Sequence, residues 1–148
     1  MKIAVACDPA GVVLKEAVME TLKELGAEAT YFGIHDEDTT RDYPVFALRA
    51  AKAVANGEFD RGIVICGTGV GISMSANKIH GIRACCCSDS FSAEYTRRHN
   101  DANALCLGGR VVGPGLAIQL VDLFLNTPFE GGRHQRRIDK LTALEARG

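Results

Sequence analysis

The sequence predicts a single α/β domain, residues 1–148, whose parallel, doubly wound sheet has five strands and helices on both faces. Short apolar runs alternate along the chain with segments whose apolar residues recur at helical spacing. Repeating β-α units of this kind form parallel sheets with right-handed crossovers. The length of 148 residues suits one domain with a substantial core, and no linker, repeat or low-complexity segment divides it. The predicted arrangement is Rossmann-like, so ligands are expected where the strands end.

The first half of the chain contains three predicted strands and two predicted helices. Apolar runs predict the strands at residues 3–7, 29–32 and 63–66. Helical spacing of apolar residues predicts helices at residues 14–25 and 44–54. Gly26 suits the position after the first helix, and Pro44 suits the first turn of the second.

The second half continues this alternation. Apolar runs predict strands at residues 82–87 and 104–107, and helical spacing predicts helices at residues 91–98 and 116–125. A further helix is expected after the glycine-rich turn that follows residue 66. The complete order is therefore that of repeated β-α units.

The C-terminal tail has a different composition. Residues 135–146 are charged, and their apolar positions Ile138, Leu141 and Leu144 recur every three residues. Because so few apolar side chains cannot form a core alone, we expect the tail, from about residue 130 to residue 148, to pack on a neighbouring subunit.

The turn after the third strand is the most informative segment of the chain. Residues 66–73 read Cys-Gly-Thr-Gly-Val-Gly-Ile-Ser and connect an apolar run to a helical segment. Glycines let the backbone approach a ligand and point its N–H groups at it, and the start of a helix favours a thiolate and a nearby anion. The segment therefore predicts a reactive Cys66 beside an oxyanion. A purely structural strand-to-helix turn is the alternative.

The spacing of these glycines excludes two common nucleotide-binding loops. A Gly-x-Gly-x-x-Gly pattern fails whether it starts at Gly67 or at Gly69, since Ile72 and Met74 occupy its last position. No Lys-Ser or Lys-Thr pair follows, so the segment is not a Walker loop. The pattern that is left is a short turn that fits a small anion.

Charge and cysteine content narrow the class of protein further. The formal net charge is -1 at pH 7, which gives no support for a nucleic-acid or membrane partner. The N-terminus enters a strand-like run without a signal-peptide layout, so we expect a cytoplasmic, reduced protein. No Cys-x-x-Cys pair is present, and Cys85, Cys86 and Cys87 alternate in direction along a strand, so no metal site is predicted. These three residues, with Cys7 and Cys106, are expected to be small buried hydrophobic residues.

Several ordered blocks of sequence carry a resemblance to a known family. They are residues 42–44 (DYP), 66–73 (CGTGVGIS), 76–78 (ANK), 81–84 (GIRA), 98–103 (RHNDAN), 109–113 (GRVVG) and 129–134 (FEGGRH). With these blocks the chain resembles type B ribose-5-phosphate isomerases, from about Met1 to about Leu144. The wider group includes galactose-6-phosphate isomerase subunits and isomerases of other phosphorylated sugars.

The resemblance implies an isomerase that uses no metal or other cofactor and interconverts an aldose phosphate with its ketose through a cis-enediolate. It implies that Cys66 is the base, and that Thr68 donates a hydrogen bond or passes protons. Asp8 and His99 would open the furanose ring. Backbone N–H groups of the turn, with Asn100, would hold the enediolate oxygens. The turn residues concerned are Gly67, Gly69, Val70 and Gly71.

The resemblance also implies a phosphate site built from arginines. Arg110, Arg133 and Arg137 would hold the phosphate, with His134 assisting, because arginine forks fit pairs of phosphate oxygens. Family members supply the two tail arginines to the neighbouring subunit's site, which implies a homodimer, or a tetramer, with shared active sites. A merely solvated basic face is the alternative for this tail.

One position departs from the family's pattern. The first loop of the family usually reads Cys/Ser-Asp-His-x-Gly, whereas residues 7–11 read Cys-Asp-Pro-Ala-Gly, with Pro9 in place of the histidine. Proline has no ionisable group and no N–H. Ribose 5-phosphate is the expected substrate, and a tetrose, allose or galactose phosphate is the alternative. Two further hypotheses stay open, namely a non-catalytic phosphate-binding module and one half of a hetero-oligomer.

Overall fold

Five strands and six helices alternate along residues 1–147, the part of the chain that this computed structural model describes. The strands are β1 Lys2–Cys7, β2 Glu28–Tyr31, β3 Arg61–Cys66, β4 Ala84–Cys86 and β5 Ala104–Gly108. The helices are α1 Lys15–Glu24, α2 Tyr43–Ala55, α3 Val70–Ala76, α4 Ser90–Asn100, α5 Pro114–Asn126 and α6 Arg133–Ala143. Short 3₁₀ turns precede α1 at Val12–Leu14 and follow α6 at Leu144–Arg147. None of the helices within residues 1–147 has the length and apolar character needed to cross a membrane.

All five strands are parallel and lie in the order β2-β1-β3-β5-β4. The sheet extends from β1 to β2 on one side and to β3 on the other, which confirms the predicted doubly wound topology. Along β3 and β5, Gly62 pairs with Ala104 and Cys66 pairs with Gly108. Cys66 therefore lies at the carboxyl edge of the sheet, beside the point where the strand order reverses.

Two apolar cores cover the two faces of the sheet. In β3, Ile63 and Ile65 belong to the core beneath α1 and α5, whereas Val64 and Cys66 belong to the core beneath α2 and α3. Because both faces are covered, this strand is a continuous apolar run in the sequence rather than an alternating one. The expectation of helices on both faces is confirmed.

The strand β4 is shorter than the predicted strand at residues 82–87. Side-chain amides anchor its start, since Asn103 Oδ1 accepts from Arg83 N and Asn77 Oδ1 accepts from Ala84 N, each at 2.8 Å. These loop contacts take the place of strand pairing, and β4 is left as a short edge strand.

The cysteines are all free thiols, but they are not all buried. Cys7, Cys87 and Cys106 are buried, as predicted. The prediction is wrong for Cys86, which is exposed, and only partly right for Cys85, which is half-buried. The physical reason is the edge position of β4, because an edge strand has no neighbour to cover one of its sides.

The charged tail, whose apolar residues recur every three positions in the sequence, forms α6. His134 and Ile138, one turn apart, are buried against the same chain, and His134 stacks on His99 of α4. Leu141 and Leu144 are 52% and 56% exposed. Packing of this tail on a neighbouring subunit stays a prediction.

Candidate active site

The carboxyl ends of β1, β3 and β5 bring the first group of predicted site residues together. Asp8 follows β1, and its N–H donates to Ile65 O of β3 at 3.0 Å. Arg110 follows β5, and its N–H donates to Gly67 O at 2.9 Å. Asp8, Arg110 and the turn after Cys66 are therefore held at one edge, where open α/β sheets bind their ligands.

The sulfur of Cys66 accepts a hydrogen bond from the turn that follows it. Gly69 N lies 3.1 Å from Cys66 Sγ, and the Cys66 residue is 4% exposed. Gly69 has a φ of 82°, in the left-handed region that glycine adopts without strain. A backbone donor at this distance stabilises the charged thiolate more than the neutral thiol. The arrangement can therefore support a base at the mouth of the sheet.

The turn lies against β5 and beneath an arginine. A Cβ on Gly108 would lie 2.6 Å from the backbone oxygen of Thr68, so only glycine allows this approach. A Cβ on Gly67 would lie 3.4 Å from Arg110 Nη1, which places the guanidinium over the turn. Thr68 Oγ1 accepts from Val70 N at 3.2 Å, and its hydroxyl hydrogen is free to be donated elsewhere.

Asp8, at the same edge of the sheet as Cys66, closes the first loop. The residue is 8% exposed, and its Oδ1 accepts from Gly11 N at 2.9 Å. Gly11 N also donates to Asp8 O at 3.0 Å, which closes a turn with Pro9 at its second position. Proline is favoured at that position because its φ is already correct. The departure from the family's pattern thus fits the backbone of this loop.

A second cluster joins His99, Glu130 and His134. The two imidazole rings stack with their centroids 4.1 Å apart, and Glu130 Oε1 lies 3.8 Å from His99 Nε2 and 3.5 Å from His134 Nε2. Arg98 Nε donates to Glu130 Oε2 at 2.6 Å and lowers the pKa of that carboxyl. Burial, followed by the nearby positive charge of His99, lowers the pKa of His134. Within residues 1–147, His134 Nε2 has no hydrogen-bond partner.

These three side chains are the one group within the described residues whose donor atoms could hold a metal ion, since those atoms lie within 4.8 Å of one another. Their surroundings are positive, however. Arg98 already binds the carboxylate, and the charges of Arg133 and Arg137 act on His134. Positive surroundings oppose a cation and attract an anion. The cluster therefore fits a phosphate better than a metal.

Within one chain the group around Cys66 and the cluster of His99, Glu130 and His134 lie at opposite ends of the sheet. The helix α4 ends at Asn100, four residues before β5 begins at Ala104. Arg83, which precedes β4, donates from Nε to Asn100 O at 3.0 Å, so Asn100 lies at the amino edge. Cys66 is level with the other end of β5, and four residues of strand span about 13 Å. The predicted site residues that one chain does not bring near Cys66 are His99, Asn100, Arg133, His134 and Arg137.

Three residues at these sites have no role in the sequence prediction. Glu130 joins Arg98 and the two histidines, and Tyr43 packs on the start of α3, since a Cβ on Gly71 would lie 2.7 Å from Tyr43 Cζ. Cys86 Sγ lies 3.6 Å from Thr68 O. Glu130 and Tyr43 belong to blocks that match the family, which is the signal that could have indicated them. No local signal marks Cys86.

A cavity of about 720 Å³ lies away from the thiol. Residues around the start of β4 and the end of α6 line it, among them Arg83, Asn100 and Leu144. It opens at the amino edge, so cavity volume does not select the Cys66 group. The thiol, the backbone N–H donors and Arg110 at the carboxyl edge are the features that make the Cys66 group the candidate active site.

Known proteins are similar to this chain over nearly its whole length. The family model described as Ribose/Galactose Isomerase matches residues 3–141. Ribose-5-phosphate isomerase B of Escherichia coli (strain K12) is 51% identical over 146 residues, covering 99% of this chain and 97% of that protein. D-erythrulose-4-phosphate isomerase of Pectobacterium atrosepticum is 36% identical over 145 residues, covering 98% and 95%. The solved structure of Clostridium thermocellum ribose-5-phosphate isomerase B has a TM-score of 0.94 at 50% identity and covers 99% of each chain.

Proposed function

This chain belongs to the ribose/galactose isomerase family and is a sugar-phosphate isomerase, and from that premise we propose that it interconverts ribose 5-phosphate and ribulose 5-phosphate. The observation that carries the proposal is the hydrogen bond of 3.1 Å from Gly69 N to Cys66 Sγ at the carboxyl edge. This contact supports a thiolate, which can serve as the base for a proton shift between neighbouring carbons. The identity of 51% to the Escherichia coli protein supports a pentose phosphate as the substrate.

Cys66 is proposed as the base of the reaction. Its thiolate removes the proton from C2 of the open-chain aldose, the C–H electron pair forms the C1–C2 double bond, and negative charge moves to O1. The thiol then returns a proton to C1 while the O2 proton passes to O1, a transfer that the Thr68 hydroxyl can assist. Hydrogen atoms are conserved in these steps, so the scheme includes no external oxidant or reductant.

The turn is proposed to stabilise the enediolate oxygens. Preorganised N–H donors act where charge develops, and the loss of one such donor typically costs on the order of 100-fold in rate. The donors in this chain would be the backbone N–H groups of Gly67, Gly69, Val70 and Gly71.

A second subunit is proposed to complete each site. Ring opening needs a base for the O1 proton and an acid for the ring oxygen, and Asp8 and His99 are the proposed pair. They lie at opposite edges of one chain, so His99, with Asn100, would come from a neighbouring copy. Val70 and Met74, one turn apart on α3 beside the thiol, are 52% and 62% exposed. They offer the apolar surface that such a copy would cover.

The phosphate is proposed to bind between the two subunits. Arg110 lies over the turn of one chain, and Arg133 and Arg137 would come from the α6 helix of the other. These two arginines are exposed and four residues apart, so they share one face of α6. His134 is buried beside them and would assist by stacking on His99. The arrangement predicts a homodimer, or a tetramer built from such dimers.

A different sugar phosphate is the second candidate substrate. Pro9 replaces the family's histidine, and a relative of 36% identity is named D-erythrulose-4-phosphate isomerase. The kcat/KM values for tetrose, pentose and hexose phosphates, allose and galactose phosphates included, decide between the candidates. Ribose 5-phosphate is expected to give the highest value. A higher value for a tetrose or hexose phosphate would replace it as the substrate.

Replacement of the thiol tests the proposed base. In deuterated water the protein is expected to introduce deuterium at C2 of recovered ribose 5-phosphate, as followed by NMR. Cys66→Ala should lower both exchange and isomerisation by about 10² to 10⁴-fold, with an unchanged circular dichroism spectrum. Cys85→Ala removes a thiol elsewhere and should keep the parent rate. A Cys66→Ala protein that isomerises at the full rate contradicts the assigned base.

A further inference from the structure

Cys86 contacts the glycine turn from the side opposite to Cys66. It pairs with Cys106 in the sheet, and side chains of paired strand residues lie on the same face, here the face that also carries Cys66. Cys86 Sγ lies 3.6 Å from Thr68 O in donor geometry. A Cβ on Gly69 would lie 2.9 Å from the same sulfur. Cys86 is therefore packed on the peptide group between Thr68 and Gly69.

This single peptide group connects the two sulfurs. Its carbonyl oxygen accepts from the Cys86 thiol, and its N–H donates to Cys66 Sγ at 3.1 Å. A donor on a carbonyl polarises the peptide, strengthens its N–H as a donor and fixes the orientation of its plane. We propose that Cys86 is a positioning residue for the isomerase reaction, because it holds the Gly69 N–H group on the sulfur of Cys66. The inference rests on the proposed function of Cys66 as the base.

Cys86 has to keep its proton in order to donate. Partial burial, followed by the nearby thiols of Cys85 and Cys66, raises the pKa of Cys86, so it is a neutral thiol at physiological pH. Other ionisable groups also reach the neighbourhood of Cys66 from the elements around it, and they are unchanged in every variant described below. They are Asp8 after β1, Tyr43 of α2 and Arg110 after β5, and Cys106 of β5.

Three substitutions separate the donor from the volume of the side chain. Cys86→Val removes the S–H group and keeps an apolar side chain that suits an exposed strand. Cys86→Ala removes the donor without crowding the turn, and Cys86→Ser keeps a hydroxyl donor. Cys85→Ala is the matched control, because Cys85 faces the opposite side of β4, with its sulfur 3.5 Å from Cys87 Sγ.

The rate at which iodoacetamide labels Cys66 in the native protein reports the fraction of Cys66 that is present as thiolate. Trypsin releases residues 62–78, in which Cys66 is the only cysteine, so mass spectrometry follows it apart from Cys85, Cys86 and Cys87. Labelling is expected to be about two- to fivefold slower in Cys86→Val and Cys86→Ala, the effect of one weak S–H···O bond. Cys86→Ser and Cys85→Ala should keep the parent rate. The NMR resonance of the Gly69 amide proton should move in the Val and Ala variants, and this readout needs no reagent access.

Kinetics separate positioning from a purely structural role. The kcat of Cys86→Val and Cys86→Ala should fall by the same factor as labelling, with KM unchanged, because Cys86 acts through the turn. The proposal is overturned if both the Val and the Ala variant have the parent's labelling rate and Gly69 resonance. It is also overturned if the labelling rate and kcat fall as far in Cys86→Ser as in Cys86→Ala. Full isomerase activity in Cys66→Ala would instead contradict the proposed role of Cys66 as the base, whereas labelling of Cys66 in the Cys86 variants would still report on the link between the two sulfurs.

Discussion

At the scale of single residues, both its backbone conformation and its close packing require glycine at position 69. Its φ of 82° is one that L side chains rarely adopt, and a Cβ there would lie 2.9 Å from both Cys86 Sγ and the carbonyl carbon of Leu107. Gly69→Ala is therefore expected to displace the N–H donor of Cys66 and to lower kcat by about 100-fold. It should also lower the free energy of unfolding by about 1–3 kcal/mol. Steady-state kinetics and urea unfolding measure the two effects.

Gly57 provides a matched control for this substitution. Its φ is 85°, nothing lies within 4 Å of the position of a Cβ, and it connects α2 to β3 away from the thiol. Gly57→Ala introduces the same kind of backbone strain without a collision, so it should cost about 1 kcal/mol and leave kcat unchanged. Equal kcat values in the two variants would show that close packing of the turn does not hold the donor.

His134 gives the folded chain a defined response to pH. Burial lowers its pKa below the ordinary value of 6.5, so the unfolded chain takes up this proton at a higher pH than the folded chain. Well above pH 6.5 the titration of His134 therefore does not lower the free energy of unfolding. It lowers that free energy progressively as the pH falls from 6.5 to the lower pKa of the folded chain.

Replacement of His134 should remove that response. Between about pH 7.5 and about pH 5, the free energy of unfolding is expected to fall less in His134→Gln than in the parent protein. Urea unfolding at each pH measures this difference, and His80→Gln, at an exposed histidine, is the control. An equal fall in His134→Gln and the parent would mean that the buried imidazole does not set the acid response.

At the scale of elements, α6 has one buried face and one charged, exposed face. His134 and Ile138 are buried, whereas Arg133, Arg136 and Arg137 are exposed. Arg137→Ala is expected to raise KM about tenfold or more, the cost of one charge-assisted hydrogen bond, and to lower kcat less. The reason is that the proposed contact of Arg137 with the phosphate would stabilise bound substrate and transition state alike.

Arg136 is the matched control on the same helix. It carries the same charge one position earlier, which turns it about 100° around the helix axis from Arg137. Arg136→Ala should leave KM near the parent value, as measured by initial rates over a range of substrate concentrations. A similar rise of KM in both variants would indicate the loss of general positive charge rather than of a phosphate contact.

The elements also show which part of the site the sequence could predict. Asp8, Cys66 and Arg110 each follow an apolar run, and strand ends of a parallel sheet meet at one edge, so their proximity could be predicted. The position of His99 could not, because the motif around it identifies a site but not the chain that supplies the residue. Only the direction of α4 and the strand order place it at the opposite edge.

The edge strand β4 limits prediction in the same way. Cys85, Cys86 and Cys87 form a uniform run in the sequence, and local pattern gives no reason to treat the middle residue differently. Cys86 is exposed because β4 comes last in the strand order and has one open side. It contacts Thr68 O because it pairs with Cys106 of β5, the strand next to β3, which leads into the turn. Strand order is a property of the whole sheet, so the local pattern of three thiols does not contain it.

At the scale of the whole molecule, one chain carries two incomplete halves of the proposed site. The carboxyl edge has the thiol, the N–H donors and Arg110, and the amino edge has the stacked histidines and the tail arginines. In a two-fold symmetric dimer, each chain would contribute its carboxyl-edge residues to one site and its amino-edge residues to the other. Activity would then depend on association, so the specific activity should fall on dilution below the dissociation constant of the dimer.

Mixed dimers test this arrangement directly. A Cys66→Ala subunit lacks the proposed base, and an Arg133→Ala/Arg137→Ala subunit lacks the two arginines proposed as the phosphate clamp, so each alone should form dimers with two defective sites. In a mixed dimer one site would combine both defects and the other would have none. Random equal mixing should therefore restore about a quarter of the parent's sites.

The readout is initial rate at a substrate concentration below KM, after the two variants are unfolded together and refolded. Each variant refolded alone is the control. No recovery on mixing would mean that base and clamp come from the same chain. Because one chain holds Cys66 and the tail arginines at opposite edges of its sheet, recovery of activity would require a site that is built from two subunits.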